Sequence, residues 1–142
     1  MQNDLNIYLI IAGSISALIA ILHLILAIKP SLYGYMGADA LVKLHENGSP
    51  FTVLATVGLM LFFIGFSVYA FSGAGLIQRL PWMDFCLILI SVVYFLRSLL
   101  LPMELYKALF SDYPKRFAIF SAISLTAGLM YLLGFIALAE HH

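Results

Sequence analysis

Arg97 sits within "VVYFLRSLLLP", in a chain of 142 residues that is 63% hydrophobic and 10% charged. A guanidinium stays charged at physiological pH and presents a planar fork of donors that matches a carboxylate or a phosphate. His23, within "AILHLILAI", is the other strongly polar side chain set well inside an apolar run. An imidazole beside a fixed cation can move a proton, or help to hold a carboxylate, a phosphate or a quinone carbonyl. Hydroxyls at Thr56, Tyr94, Ser121 and Ser124 complete the candidate ligand-binding set. The plain structural alternative is that Arg97 snorkels toward head groups or pairs with Glu104 or a lipid phosphate. For His23 it is a hydrogen bond across helices, and for Tyr94 it is packing with a satisfied hydroxyl.

Other chemistry is excluded more easily. The chain has no paired carboxylates inside an apolar run, no glycine-rich phosphate loop, and no HExxH or GxSxG motif, so no catalytic residue is assigned. The single cysteine, Cys86, rules out an internal disulfide and a cysteine metal cluster. A bis-histidine haem would need a second histidine at membrane depth. His45 and Glu46 fall in a surface loop, so no metal or cofactor is expected. Formal net charge is zero, and nothing in it points to nucleic acid. The first apolar run lacks a preceding Lys or Arg and is too long for a cleavable signal. The closing His141–His142 pair is compatible with a purification-tag remnant and is given no role.

The mean hydropathy of +1.05 leaves too little polar surface to face water. A soluble domain carries about 25% charged residues. Hydrocarbon is the solvent that suits this chain, and a span then needs roughly 20 apolar residues folded as a helix. Four such runs occur, at residues 7–28, 51–71, 82–101 and 117–139. The expected fold is an all-α integral membrane protein, with four transmembrane helices in one bundle and one domain spanning residues 1–142. The helix-breaking residues agree. Ser49–Pro50, Pro81 and Asp112 with Pro114 open the later spans, Gly73 and Gly75 close the second, and Pro102 limits the third. Within the long first loop, Ala38, Leu41, Val42 and His45 share one helical face opposite Asp39, Lys43 and Glu46. This predicts a short amphipathic helix at the membrane surface, stopped by Asn47–Gly48. The third connection, "PMELYKALFSDYPKRF", suggests a similar short turn of helix.

Small and polar residues mark the faces that meet protein in lipid. On the first span these are Gly13, Ser16, Ala17, Ala20, His23 and Ala27. On the second they are Gly58, Gly65, Tyr69 and Ser72. On the third they are Asp84, Ser91, Tyr94 and Ser98, and on the fourth Ser121, Ser124, Gly128 and Tyr131. Pointing all four stripes inward is the expected assembly. Lys29, Lys43, Lys107, Lys115 and Arg116 lie in loops 29–50 and 102–116, whereas the other side has Arg79. Those two loops are therefore expected in the cytoplasm and both termini opposite, in a bacterial inner membrane. His23 precedes Lys29 by about 9 Å of helix, and Arg97 precedes Pro102 by about 7–8 Å, at 1.5 Å per residue. A half-open polar pocket under the first loop is the expected result.

The first span lacks the central carboxylate of a small multidrug transporter, and the first loop lacks the arginine- and asparagine-rich pattern of membrane glutathione enzymes. The expected function is non-catalytic. The protein binds a lipid-like or amphipathic anion, or serves as an accessory subunit of a membrane complex, with membrane lipids as partners. A small transporter or channel, homo-oligomeric through Gly58 and Gly65, is the competing expectation. A membrane enzyme acting on a lipid or quinone is the third.

Overall fold

The computed structural model describes residues 5–36 and 39–141, so Ala38 and His142 lie outside the described residues. The helices are α1 (Ile7–Ile28), α2 (Asp39–Glu46), α3 (Phe51–Gly73), α4 (Met83–Ser98), α5 (Leu101–Phe110) and α6 (Lys115–Glu140), with a 3₁₀ turn at Pro30–Tyr33. Among the described residues there is no strand. Among the described residues, four segments are long and apolar enough to cross a membrane: Ile7–Ile28, Phe51–Gly73, Met83–Phe110 and Lys115–Glu140. The protein is an all-α integral membrane protein with a short helix in its first loop.

Helix ends follow from local chemistry. Asn6 caps α1, its Oδ1 accepting the Leu9 amide at 3.3 Å. Ser49 Oγ accepts the Phe51 amide at 3.3 Å where α3 begins. Beyond α3, Gly75 takes φ +84°, which L side chains resist. The Leu76 amide then reaches Phe71 O at 3.0 Å and the Gly75 amide reaches Ser72 O at 3.1 Å, a Schellman closure. Gly48, at φ +81°, closes α2 in the same way through Ser49 to Leu44 O and Gly48 to His45 O. The expected openers of the last two spans act differently. Trp82, in a left-handed conformation, precedes α4, Pro114 precedes α6, and neither forms a side-chain cap.

The third span departs most from expectation. Pro102 does not end it. The chain turns at Leu99–Leu100 and Pro102 sits in the first turn of α5, where its missing N–H costs nothing. The 16 residues of α4 extend about 24 Å, short of a hydrocarbon core of about 30 Å. The first turn of α5 therefore still belongs to the span.

The chain separates into two compact units, residues 1–15 with 66–142, and residues 16–65, and each is described by itself. In the first unit, α4 and α6 make the main packing. Ser91 Oγ donates to Gly128 O at 2.9 Å. A methyl at Gly128 would come within 3.2 Å of the Phe95 ring and 3.3 Å of Tyr94 Cβ. The Tyr94 and Tyr131 rings stack at 5.7 Å and 19°, and Tyr131 Oη donates to Phe66 O at 2.9 Å. Residues 7–15 of α1 enter through Leu9, which is fully buried against Gly73 and Gly134. Asn6 Nδ2 donates to Gly134 O at 2.8 Å, and Ser67 Oγ donates to Gly13 O at 2.9 Å.

In the second unit, the first loop is tied to the start of α3. Thr52 Oγ1 donates to Leu41 O at 3.3 Å. Two sequence expectations are corrected here. The half-buried residues of α2 are Leu41, Val42 and Leu44, while His45 is exposed. Gly58 does not turn into packed protein. It is exposed, and a methyl built there or at Gly65 has open space among the described residues.

Candidate functional site

Arg97 occupies the last turn of α4, and Glu104 follows it across the Leu99–Leu100 turn on α5. Ser121 on α6 stands between them. Arg97 Nη1 donates to Ser121 Oγ at 2.6 Å, and Ser121 Oγ donates in turn to Glu104 Oε2. Glu104 Oε1 lies 3.7 Å from the same Nη1. Both carboxylate oxygens thus face a donor. The Glu104 side chain is 6% exposed and that of Arg97 is 41% exposed. A carboxylate at the edge of hydrocarbon needs such a counter-charge, because an isolated buried ion is costly. The cluster explains why this apolar chain carries an arginine at position 97.

The cluster can hold charge, orient a guanidinium and pin α5 to α6. It does not resemble an activated nucleophile. The Ser121 proton is directed to Glu104, and a lone pair of its oxygen is engaged by Arg97. Nη1 carries both internal contacts of the fork, and the Nε–Nη2 edge is the one suited to a second, bidentate acceptor.

The other expected residues of this unit serve packing. Tyr94 is 3% exposed, stacked on Tyr131 and edge-on to Phe66 at 5.9 Å. Ser124 Oγ donates back to Phe120 O within its own helix at 3.1 Å.

His23 and Thr56 belong to the second unit. His23 Nδ1 lies 2.8 Å from Ile19 O, one turn back on α1. A carbonyl only accepts, so Nδ1 carries the proton and Nε2 is the nitrogen left for other chemistry. Its ring tilts against Phe63 at a centroid distance of 5.1 Å. Thr56 Oγ1 donates to Thr52 O at 2.8 Å and is hydrogen-bonded to Tyr33 Oη, which also reaches Thr52 O at 3.3 Å. Tyr33 is 3% exposed. Thr56 is thereby part of the anchor that holds the first loop to α3.

This anchor carries a prediction. Tyr33→Phe removes a buried hydroxyl and leaves Thr56 one partner short, a loss of about 1 kcal/mol. Hydrogen exchange should accelerate in residues 30–49 and stay unchanged in α4 and α6. Unchanged exchange in the loop would mean that other contacts hold it.

Sequence reasoning named Glu104 only as one partner for Arg97 and passed over Tyr33. Glu104 had a signal. Seven residues is about two helical turns, which brings positions 97 and 104 to one face of a helix. Tyr33 had none, since "PSLYGYMG" has no periodicity to separate an inward tyrosine from an interfacial one. Among the described residues, no group of three or more His, Cys, Asp or Glu gathers as a metal set. No family model, curated protein or solved structure matches the chain.

Proposed function

We propose that this is a non-catalytic membrane protein that binds a lipid-like or amphipathic anion at the outer edge of the Arg97 guanidinium, alone or as an accessory subunit of a larger membrane complex. The observation that carries this reading is the combination of fixed and exposed parts in one side chain. Nη1 is held by Ser121 and Glu104, while 41% of the side chain is exposed. A fork held in place on one side loses little freedom on gripping a carboxylate or phosphate with the other. Glu104 balances the guanidinium charge, so an anion is recognised here by its geometry as well as its sign. The Ser121 hydroxyl, which already holds Nη1, remains part of the proposal as the group that orients the fork.

The reading includes an orientation. Loops 29–50 and 102–116 lie on the cytoplasmic side of a bacterial inner membrane, the first turn of α5 at its edge, and both termini lie opposite. The support for the orientation is the charge count of the loops, since Lys and Arg stay on the cytoplasmic side.

Dodecyl phosphate is a simple probe of this site. Its binding to the detergent-solubilised protein is measured by native mass spectrometry for the wild type and Arg97→Lys. Lysine keeps the charge and loses the fork, so affinity should fall about tenfold. Equal affinities in both proteins would rule out a bidentate clamp.

A further inference from the structure

The residues of α5 are arranged opposite to those of a helix packed in a water-soluble protein. Its buried residue is Glu104. Leu109, Tyr106, Phe110 and Met103 cover an arc of about 120° at 3.6 residues per turn, and all four are exposed, Phe110 by 75%. Lys107 borders this arc. Its Nζ lies 5.5 Å over the Tyr113 ring, Tyr113 packs on Phe117 at 5.3 Å, and the Arg116 guanidinium lies 4.9 Å over Phe117. Two cations are therefore seated at the two ends of one aromatic pair. Lys115 adjoins them and is exposed, and between Lys107 and Arg116 there is a single acid, Asp112.

We propose that α5 and the first turn of α6 form a seat for acidic phospholipid, with the phosphate drawn to Lys107, Lys115 and Arg116 and an acyl chain lying along the Tyr106–Phe110 pair, whose rings are 5.0 Å apart. Two features support this occupant. The face is apolar where acyl chains would lie and cationic at its border, as in helices that rest in the interface plane. Its charge is opposite to that of an acidic leaflet, which attracts basic residues next to a span. The inference stands on residues outside the Arg97 cluster, so either proposal can fail without the other.

Native mass spectrometry of the full chain in mild detergent, titrated with phosphatidylglycerol or phosphatidylcholine of identical acyl chains, tests it. The wild type should bind phosphatidylglycerol about tenfold more tightly, given three basic residues near the headgroup. Lys107→Gln/Arg116→Gln should remove most of that preference, and Lys107→Gln alone, the milder change, should remove part of it. Phe110→Ser should weaken both lipids alike. Arg79→Gln, in the loop between α3 and α4, should leave the preference intact. Equal binding of both lipids by the wild type would overturn the proposal, and so would a preference that survives undiminished in Lys107→Gln/Arg116→Gln. A preference lost in Arg97→Lys alone would move acidic lipid to the Arg97 site and also overturn it.

Discussion

Gly134→Ala should destabilise the protein by about 2 kcal/mol, although alanine is the better helix former by roughly 1 kcal/mol. The new methyl would arrive 2.4 Å from Leu9 Cγ and 2.5 Å from Cδ2. Leu9 is fully buried and has no retreat toward α3, since a methyl at Gly73 would itself meet Leu9 Cδ1 at 2.6 Å. Side chain and backbone interlock here as knob and hole, which is how helices gain contact in lipid, where apolar surface alone gives no preference for protein. Leu9→Ala should also destabilise, by about 2–5 kcal/mol, through the cavity it leaves. The pair should not add. Leu9→Ala/Gly134→Ala relieves the clash, so thermal unfolding in detergent should show a favourable coupling of at least about 1 kcal/mol. Strict additivity would mean that Leu9 does not occupy the Gly134 hole.

The second large effect concerns the ion pair, and its two halves are unequal. Arg97→Ala leaves the 6% exposed Glu104 carboxylate without its cation, while Ser121 supplies one hydrogen bond. Breaking a buried pair in this manner costs about 3–5 kcal/mol, and the outward half of Arg97 places the expected loss near the lower end, about 3 kcal/mol. Glu104→Ala leaves an arginine that is already 41% exposed and can swing to head groups or water. Its loss should be about half as large. Arg97→Ala/Glu104→Ala should regain part of the Arg97→Ala deficit. Unfolding midpoints of the three variants in one detergent decide the matter, and equal losses for the two single variants would contradict the unequal burial.

Residues 97 and 104 also show how far the sequence could be read. The four spans were legible because about 20 consecutive apolar residues have one stable solution in lipid. The stripes on the third and fourth spans were legible too. Ser91, Tyr94, Gly128 and Tyr131 are small or polar at helical spacing, and they meet between α4 and α6. The same rule misled at Gly58, because a stripe of small residues at helical spacing does not say that every member faces packed protein. The partner of Arg97 was harder to fix than Arg97 itself. Pro102 read as a stop, which hid the seven-residue spacing to Glu104, whereas proline in a first turn is also a start. His45 was assigned to the apolar face of α2 by its position alone, and Leu44 takes that place. The expected polar pocket joined side chains from both units, and periodicity within single helices carries no information about such a joint.

The Asn6 side chain has a consequence for the order of biogenesis. It caps the first span with its oxygen and grips Gly134 O with its nitrogen, a contact between residues 128 positions apart. A chain threaded into the bilayer from its N-terminus makes the first span long before Gly134 exists. Until the fourth span arrives, the Asn6 amide must find water or another acceptor, and Leu9 has no hole to fill. The beginning of the molecule is thus finished last, and a truncation before the fourth span should leave the first one inserted yet unlocked.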